Sequence, residues 1–209
     1  MVKANLNRAV STTALLVVMS LTACAGKSPR VDFYTLSVAD SSANSSGTGT
    51  SCSNMVISVG PINLPRYLDQ PRIVTRTGPN RLNFDEFHRW AGSLEDSFER
   101  ALRKNLSGLL HSDLLVSHRQ ATRVNPVYSV RLDVGQFDGR LGGDVILDVR
   151  WVITVTEADK LDIVHVSTIR ETTTGPDYEA LVHASNVATA RLGQEIAAEL
   201  VKVCATAQD

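Results

Sequence analysis

The stretch from 127 to 173 constrains this chain more than any other part of it. Tyr128, Val130, Leu132 and Val134 alternate with Ser129, Arg131, Asp133 and Gly135. Further on, Val145, Leu147, Val149, Trp151, Ile153 and Val155 alternate with Ile146, Asp148, Arg150, Val152 and Thr154. A strand turns successive side chains to opposite faces, so this periodicity describes antiparallel strands with one buried face. Asp138-Gly139 and Gly142-Gly143 supply a first connection, and Glu157-Ala158-Asp159-Lys160 a second. Setting Asp133 opposite Arg150 keeps like charges apart on the polar face. The Thr-rich run 163–173 suits an edge strand.

A sheet with one apolar face needs cover. A helix is expected from about Phe87 to His111, with Trp90, Leu94, Phe98, Ala101, Leu102, Leu106 and Leu109 as its inner stripe. Asp85 is its candidate cap, and Glu95, Asp96, Glu99, Arg103 and Lys104 form its polar face. A second helix is expected over 177–203, presenting Tyr178, Leu181, Leu192, Ile196, Leu200 and Val203 inward. Short strands are expected at 33–36, 55–60, 71–76, 81–84 and 113–118. Pro61 and Pro65 forbid a regular central strand between the second and third of these. Helices and strands do not alternate strictly. The expected fold is therefore α/β of the α+β kind: a mixed, largely antiparallel sheet with a C-terminal β-meander, covered by two long helices.

The N-terminus sets the compartment. Lys3 and Arg8 precede an apolar run, 14–21, that is far shorter than the roughly 20 residues a membrane span needs. It reads as a signal-peptide core. The run ends in Leu21-Thr22-Ala23-Cys24, which resembles a bacterial lipobox. Residues 1–23 are then a signal peptide, Cys24 the lipidated first residue, and 24–32 a short tether. Two or more acyl chains give durable anchoring, at roughly 0.8 kcal/mol per buried methylene. Ala25 in place of Asp implies an outer-membrane destination by the usual sorting rule for such lipoproteins. The alternative is an ordinary secretory signal followed by a chance cysteine. Residues 33–209 form a single domain, with a disordered insertion at about 40–53 around the Ser- and Gly-rich run 41–51.

Once Cys24 is assigned, Cys52 and Cys204 remain, in an oxidising compartment. They form either a bridge or two free buried thiols; a bridge over so long a loop contributes up to ~5 kcal/mol. The charge balance, 21 basic against 22 acidic residues, lacks the basic field a nucleic-acid binder needs. There is no Gly-x-Ser-x-Gly elbow, no His-Glu-x-x-His helix and no phosphate loop. The five histidines stand singly, and the adjacent Asp85 and Glu86 would splay apart. No catalytic residue, metal ligand or cofactor is assigned.

One segment is unusual. Pro61 through Arg76, with Arg89-Trp90 after it, gathers prolines, arginines and aromatics on a loop beside an expected helix start. Trp90 suits the core, while Tyr67 and Leu68 on a loop suit contact with a partner. Together with the lipobox, the series Phe33-Tyr34-Thr35-Leu36, Val59-Gly60-Pro61, Leu64-Pro65-x-Tyr67-Leu68-Asp69-x-Pro71-x-Ile73-Val74-x-Arg76 and Arg89-Trp90-Ala91 resembles the ABC-type transport auxiliary lipoproteins, relatives of paraquat-inducible protein C. The insertion at 41–51 and the cysteine pair depart from that pattern.

The resemblance implies a non-enzymatic, outer-membrane-anchored component of a mammalian-cell-entry-type (MCE) lipid transport system. Its partners would be a periplasmic MCE-domain protein and the inner-membrane ABC transporter behind it; a homo-oligomer is left open. Pro65, Tyr67, Leu68 and Arg89 are the candidate docking residues. The competing reading is an outer-membrane lipoprotein that activates a cell-wall synthesis enzyme. Tether length separates the two: residues 25–32 reach at most ~28 Å, whereas a domain starting near residue 54 would have a reach on the order of 100 Å. Lipidation itself is directly testable. The mature chain should start at Cys24 and carry the mass of its acyl chains, and Cys24→Ala should lose both the acyl mass and membrane fractionation.

Overall fold

The computed structural model describes residues 29–39, 52, 54–156 and 162–206. The expected signal segment, Cys24, most of the expected 40–53 insertion and the expected turn around 157–160 lie outside the described residues. Residues Val31–Asp209 form one compact unit. Its axis is β6 (Tyr128–Gly139), which pairs antiparallel with β7 (Asp144–Val155) along its whole length. The register sets Asp133 opposite Arg150 and Leu132 opposite Trp151. Tyr128, Val130, Leu132, Leu147, Val149, Trp151 and Ile153 are buried on the inner face, as their alternation requires. β8 (Ile163–Thr172) pairs only with β7 and is an edge.

The alternation in β6 breaks at Gly135, where the pairing slips between Val134 and Gln136. Such a bulge inserts an extra residue and flips the facing of the residues beyond it. Phe137, not Gln136, returns to the core, and Asp138 stays within the strand. The turn falls later, with Gly143 N–H donating to the Arg140 carbonyl. The Asp138-Gly139 turn expected from composition is thus displaced. Gly139 is required for close approach: a Cβ there would lie 2.7 Å from the Asp144 carbonyl oxygen.

On its other side β6 meets two strands in succession. β2 (Ile57–Asn63) runs parallel to its first half, and β3 (Arg72–Gly78) touches its end at Thr75–Gly139. β2 carries its own slip at Gly60-Pro61, where Gly60 has φ +99° and a Cβ would lie 2.8 Å from the His118 ring. Beyond β2, the parallel β5 (Leu115–Ser117) forms another edge. Beyond β3 lie antiparallel β4 (Arg81–Trp90) and parallel β1 (Asp32–Tyr34). The eight strands make one mixed sheet curled into a half-barrel.

The helix expected from Phe87 starts later. Residues 87–90 belong to β4, held between β1 and β3, and α1 spans Leu94–Leu110. Ser93 is its cap, accepting from the Asp96 N–H at 3.3 Å. Asp85 does cap backbone donors, but those of Phe87 and His88 within a bend of β4. Trp90 is buried at the end of that strand. Leu94, Phe98, Ala101, Leu102 and Leu106 form the buried stripe of α1, while Glu99, expected outside, is buried against His118. A short helix with no counterpart in the sequence expectations, α2 (His118–Val124), opens on a Ser117/Gln120 capping box. The last helix, α3 (Tyr178–Thr206), packs on α1, β7 and β8. No described helix is long and apolar enough to cross a membrane.

Cys52 and Cys204 are both fully buried, with Cα atoms 5.6 Å apart and sulfurs at 2.00 Å. That Cα spacing is one a disulfide bridges without backbone movement. The pair ties the chain ahead of β2 to the end of α3. Alkylation of the unfolded, unreduced protein should label neither cysteine, and Cys204→Ser should cost about 2–4 kcal/mol in denaturant unfolding.

Candidate functional site

Between β2 and β3 the chain leaves the sheet. Leu64-Pro65 is followed by a single 3-10 turn, Arg66–Leu68, and then by Asp69-Gln70-Pro71. Leu68 N–H donates to the Pro65 carbonyl (2.9 Å), Gln70 N–H to the Leu68 carbonyl (2.9 Å), and the Gln70 amide to the Tyr67 carbonyl (2.7 Å). Trp90 N–H donates to the Pro71 carbonyl at 2.7 Å, which returns the segment to the sheet. This excursion forms one wall of a cleft of about 470 Å³; the residues that open α1, Gly92–Glu95, form the other. Ile62, Leu68 and Leu94 give it a buried apolar floor, and Arg66, Asp69, Gln70 and Glu95 a mixed polar rim.

The four sequence candidates do not form one surface. Leu68 is 3% exposed and belongs to the core rather than to an exposed contact. Tyr67 is half-buried and its hydroxyl donates to Asp138 Oδ2 at 2.7 Å, so it faces inward as well. Pro65 is half-buried where the excursion begins. Arg89 lies on β4, where its Nε donates to the Glu86 carbonyl (3.0 Å) and its Nη2 to the Glu86 carboxylate (3.3 Å). The exposed residues of the excursion are Arg66, Asp69 and Pro71, none of them among the four docking candidates.

Beneath the excursion sits a group that sequence reasoning missed. Asp138 is 4% exposed. It accepts from Arg76 Nε at Oδ1 (2.9 Å) and from Nη2 at Oδ2 (2.8 Å), from Tyr67, and from the Gln136 amide (2.9 Å). Burial by itself would raise the Asp138 pKa; the Arg76 fork, the Tyr67 hydroxyl and the Gln136 amide outweigh it and hold the carboxyl below the usual range. Burial, and then the bond to Asp138, push the Tyr67 hydroxyl well above its ordinary value. The balance of these interactions thus favours a carboxylate and a neutral phenol. That is a structural staple rather than an acid–base pair. Among the described residues no group of three or more His, Cys, Asp or Glu side chains is placed to hold a metal.

Residues 34–197 match the family described as the ABC-type transport auxiliary lipoprotein component. The chain belongs to that family. The match runs from the end of β1 through most of α3 and includes both cleft walls and the Asp138 staple. A crystal structure of an uncharacterized protein is similar at 19% identity and TM-score 0.67, covering 82% of this chain and 99% of the other. A Xanthomonas campestris protein of the DUF330 family is similar at 16% identity and TM-score 0.66, covering 86% and 98%. At these identities the likeness shows the fold. No functionally curated protein matches the chain.

The staple has a measurable signature. Asp138→Asn leaves the Arg76 guanidinium without its counter-charge and should destabilise the fold by about 2–3 kcal/mol near neutral pH. Because the folded pKa lies below the unfolded value of about 3.9, the carboxylate's contribution is complete above that value and is lost as pH falls through the folded pKa. Urea midpoints of wild type and Asp138→Asn should therefore draw together as pH falls below the unfolded value and through the lower folded one.

Proposed function

We propose that this protein is a non-enzymatic lipoprotein, anchored through Cys24 to the periplasmic face of the outer membrane, that docks the periplasmic MCE assembly of an ABC-driven lipid transport system. Membership of the transport-auxiliary lipoprotein family carries this reading. The cleft fits a docking role. Its walls are fixed by backbone hydrogen bonds and by the buried Leu68, and its floor is apolar under a polar rim. A site built this way accepts an extended or helical partner segment without first being ordered, which lowers the entropic cost of association.

The pairing of β1 with β4 supports the MCE reading over the cell-wall alternative. With Asp32–Tyr34 already in the sheet, only residues 25–31 separate the domain from Cys24, a reach of at most ~25 Å. A domain held that close to its membrane suits a receiver of an assembly that itself crosses the periplasm. It suits poorly a protein that must reach inward to cell-wall enzymes. Because Tyr67 is half-buried and bonded to Asp138, the exposed Arg66 and Asp69 are the positions for in-cell crosslinking. A photo-activatable residue placed in cells at Arg66 or Asp69 should capture an MCE-domain protein, with Val164 on the distant β8 edge as the comparison surface. Capture of a cell-wall synthase from the cleft positions would overturn the reading.

A further inference from the structure

Three of the five phenylalanines remain exposed, and all three lie on β1 and β4: Phe33 at 65%, Phe87 at 41% and Phe84 at 37%. The other two, Phe98 and Phe137, are core. The facing follows from the pairing. Tyr34 and His88 point inward to Tyr178, His88 stacking on that ring at 3.9 Å. Their neighbours Phe33, Phe87 and Arg89 therefore point outward, Phe33 directly opposite Arg89. Arg72, the β3 partner of Arg89, sits 5.4 Å from the centre of the Phe84 ring. Glu86 links the two arginines, at 2.7 Å to Arg72 and 3.3 Å to Arg89. The outer face of this edge is thus a Phe/Arg surface with a single carboxylate woven into it.

Such a composition suits the headgroup boundary of a bilayer, where aromatic rings enter the acyl region and arginine heads remain at the phosphates. The covalent chain enters the domain at this edge. β1 is the first strand after Cys24, and residues 25–31 cannot carry it farther than ~25 Å from the acylated cysteine. β8, the edge with exposed Val164 and Val166, lies across the sheet beyond β4, β3, β6 and β7, roughly 25 Å away at the ordinary strand spacing. We propose that the Phe33/Phe84/Phe87 face of the β1–β4 edge is a second membrane contact, seating the domain on the lipid surface in a fixed orientation. The proposal rests on the anchored-lipoprotein reading above.

The test uses the mature acylated chain reconstituted in phosphatidylethanolamine/phosphatidylglycerol vesicles, with and without brominated phosphatidylcholine. Phe33→Trp and Val166→Trp each add one surface indole to the buried Trp90 and Trp151, whose background is subtracted using the unsubstituted chain. Bromine should quench the added emission of Phe33→Trp by roughly twofold and leave that of Val166→Trp unchanged. Vesicle flotation with no quenching of the emission added by Phe33→Trp would overturn the membrane face while leaving the anchor standing. Equal quenching of both would overturn a fixed orientation. A chain that fails to float with the vesicles would remove the anchor, and the membrane face with it.

Discussion

The sheet depends on one strand having more length than either neighbour on one side can cover. Buried backbone donors and acceptors need partners, and β6 satisfies one side entirely with β7. On the other side β2 covers only its first half, and β3 meets its far end. Two consecutive strands must therefore lie in line, and the residues between them must leave the sheet and come back. That excursion, with Pro61 at the slip in β2 before it and Pro65 at its start, is one wall of the cleft. The cleft is thus a by-product of how β6 is paired, positioned by the same hydrogen bonds that build the core.

The excursion is pinned from below. The Gly135 bulge turns Asp138 toward β3, where Arg76 meets it with both arms of its guanidinium and Tyr67 reaches down from the 3-10 turn. A buried carboxylate with fewer donors would be costly; with four it locks three chain segments into one arrangement. Tyr67 and Leu68 are consumed by this arrangement, which leaves Arg66 and Asp69 outside. Conspicuous aromatic and apolar residues on a loop are therefore a poor guide here to which of its side chains stay exposed.

Periodicity carries far in this chain and then stops. The meander, the facing of Asp133 and Arg150, and the inner stripes of both long helices follow from two-residue and three-to-four-residue spacings. The start of α1 did not follow, because Phe84–Trp90 is compatible with either a strand or a first helical turn. Pairing with β1 and β3 decided the matter, and Gly92-Ser93 then supplied the break and the cap. The capping box of α2 stood in the sequence as Ser117-x-x-Gln120, but a helix of seven residues with none of them buried leaves no apolar stripe to notice. Asp138 beside Gly139 has the composition of a turn, and its burial depends on Arg76 and Tyr67, 62 and 71 residues away.

By itself the sequence determined the elements whose burial is written in local spacing, the resemblance to an auxiliary lipoprotein family, and the absence of any recognisable catalytic motif. These are properties of residues read in order, since strand and helix geometry are periodic along the chain. Only the tertiary structure decided that β1 forms a sheet edge, where a cleft opens, and that the staple lies under it. Those features arise from contacts between segments far apart in the chain, and no spacing along it encodes them.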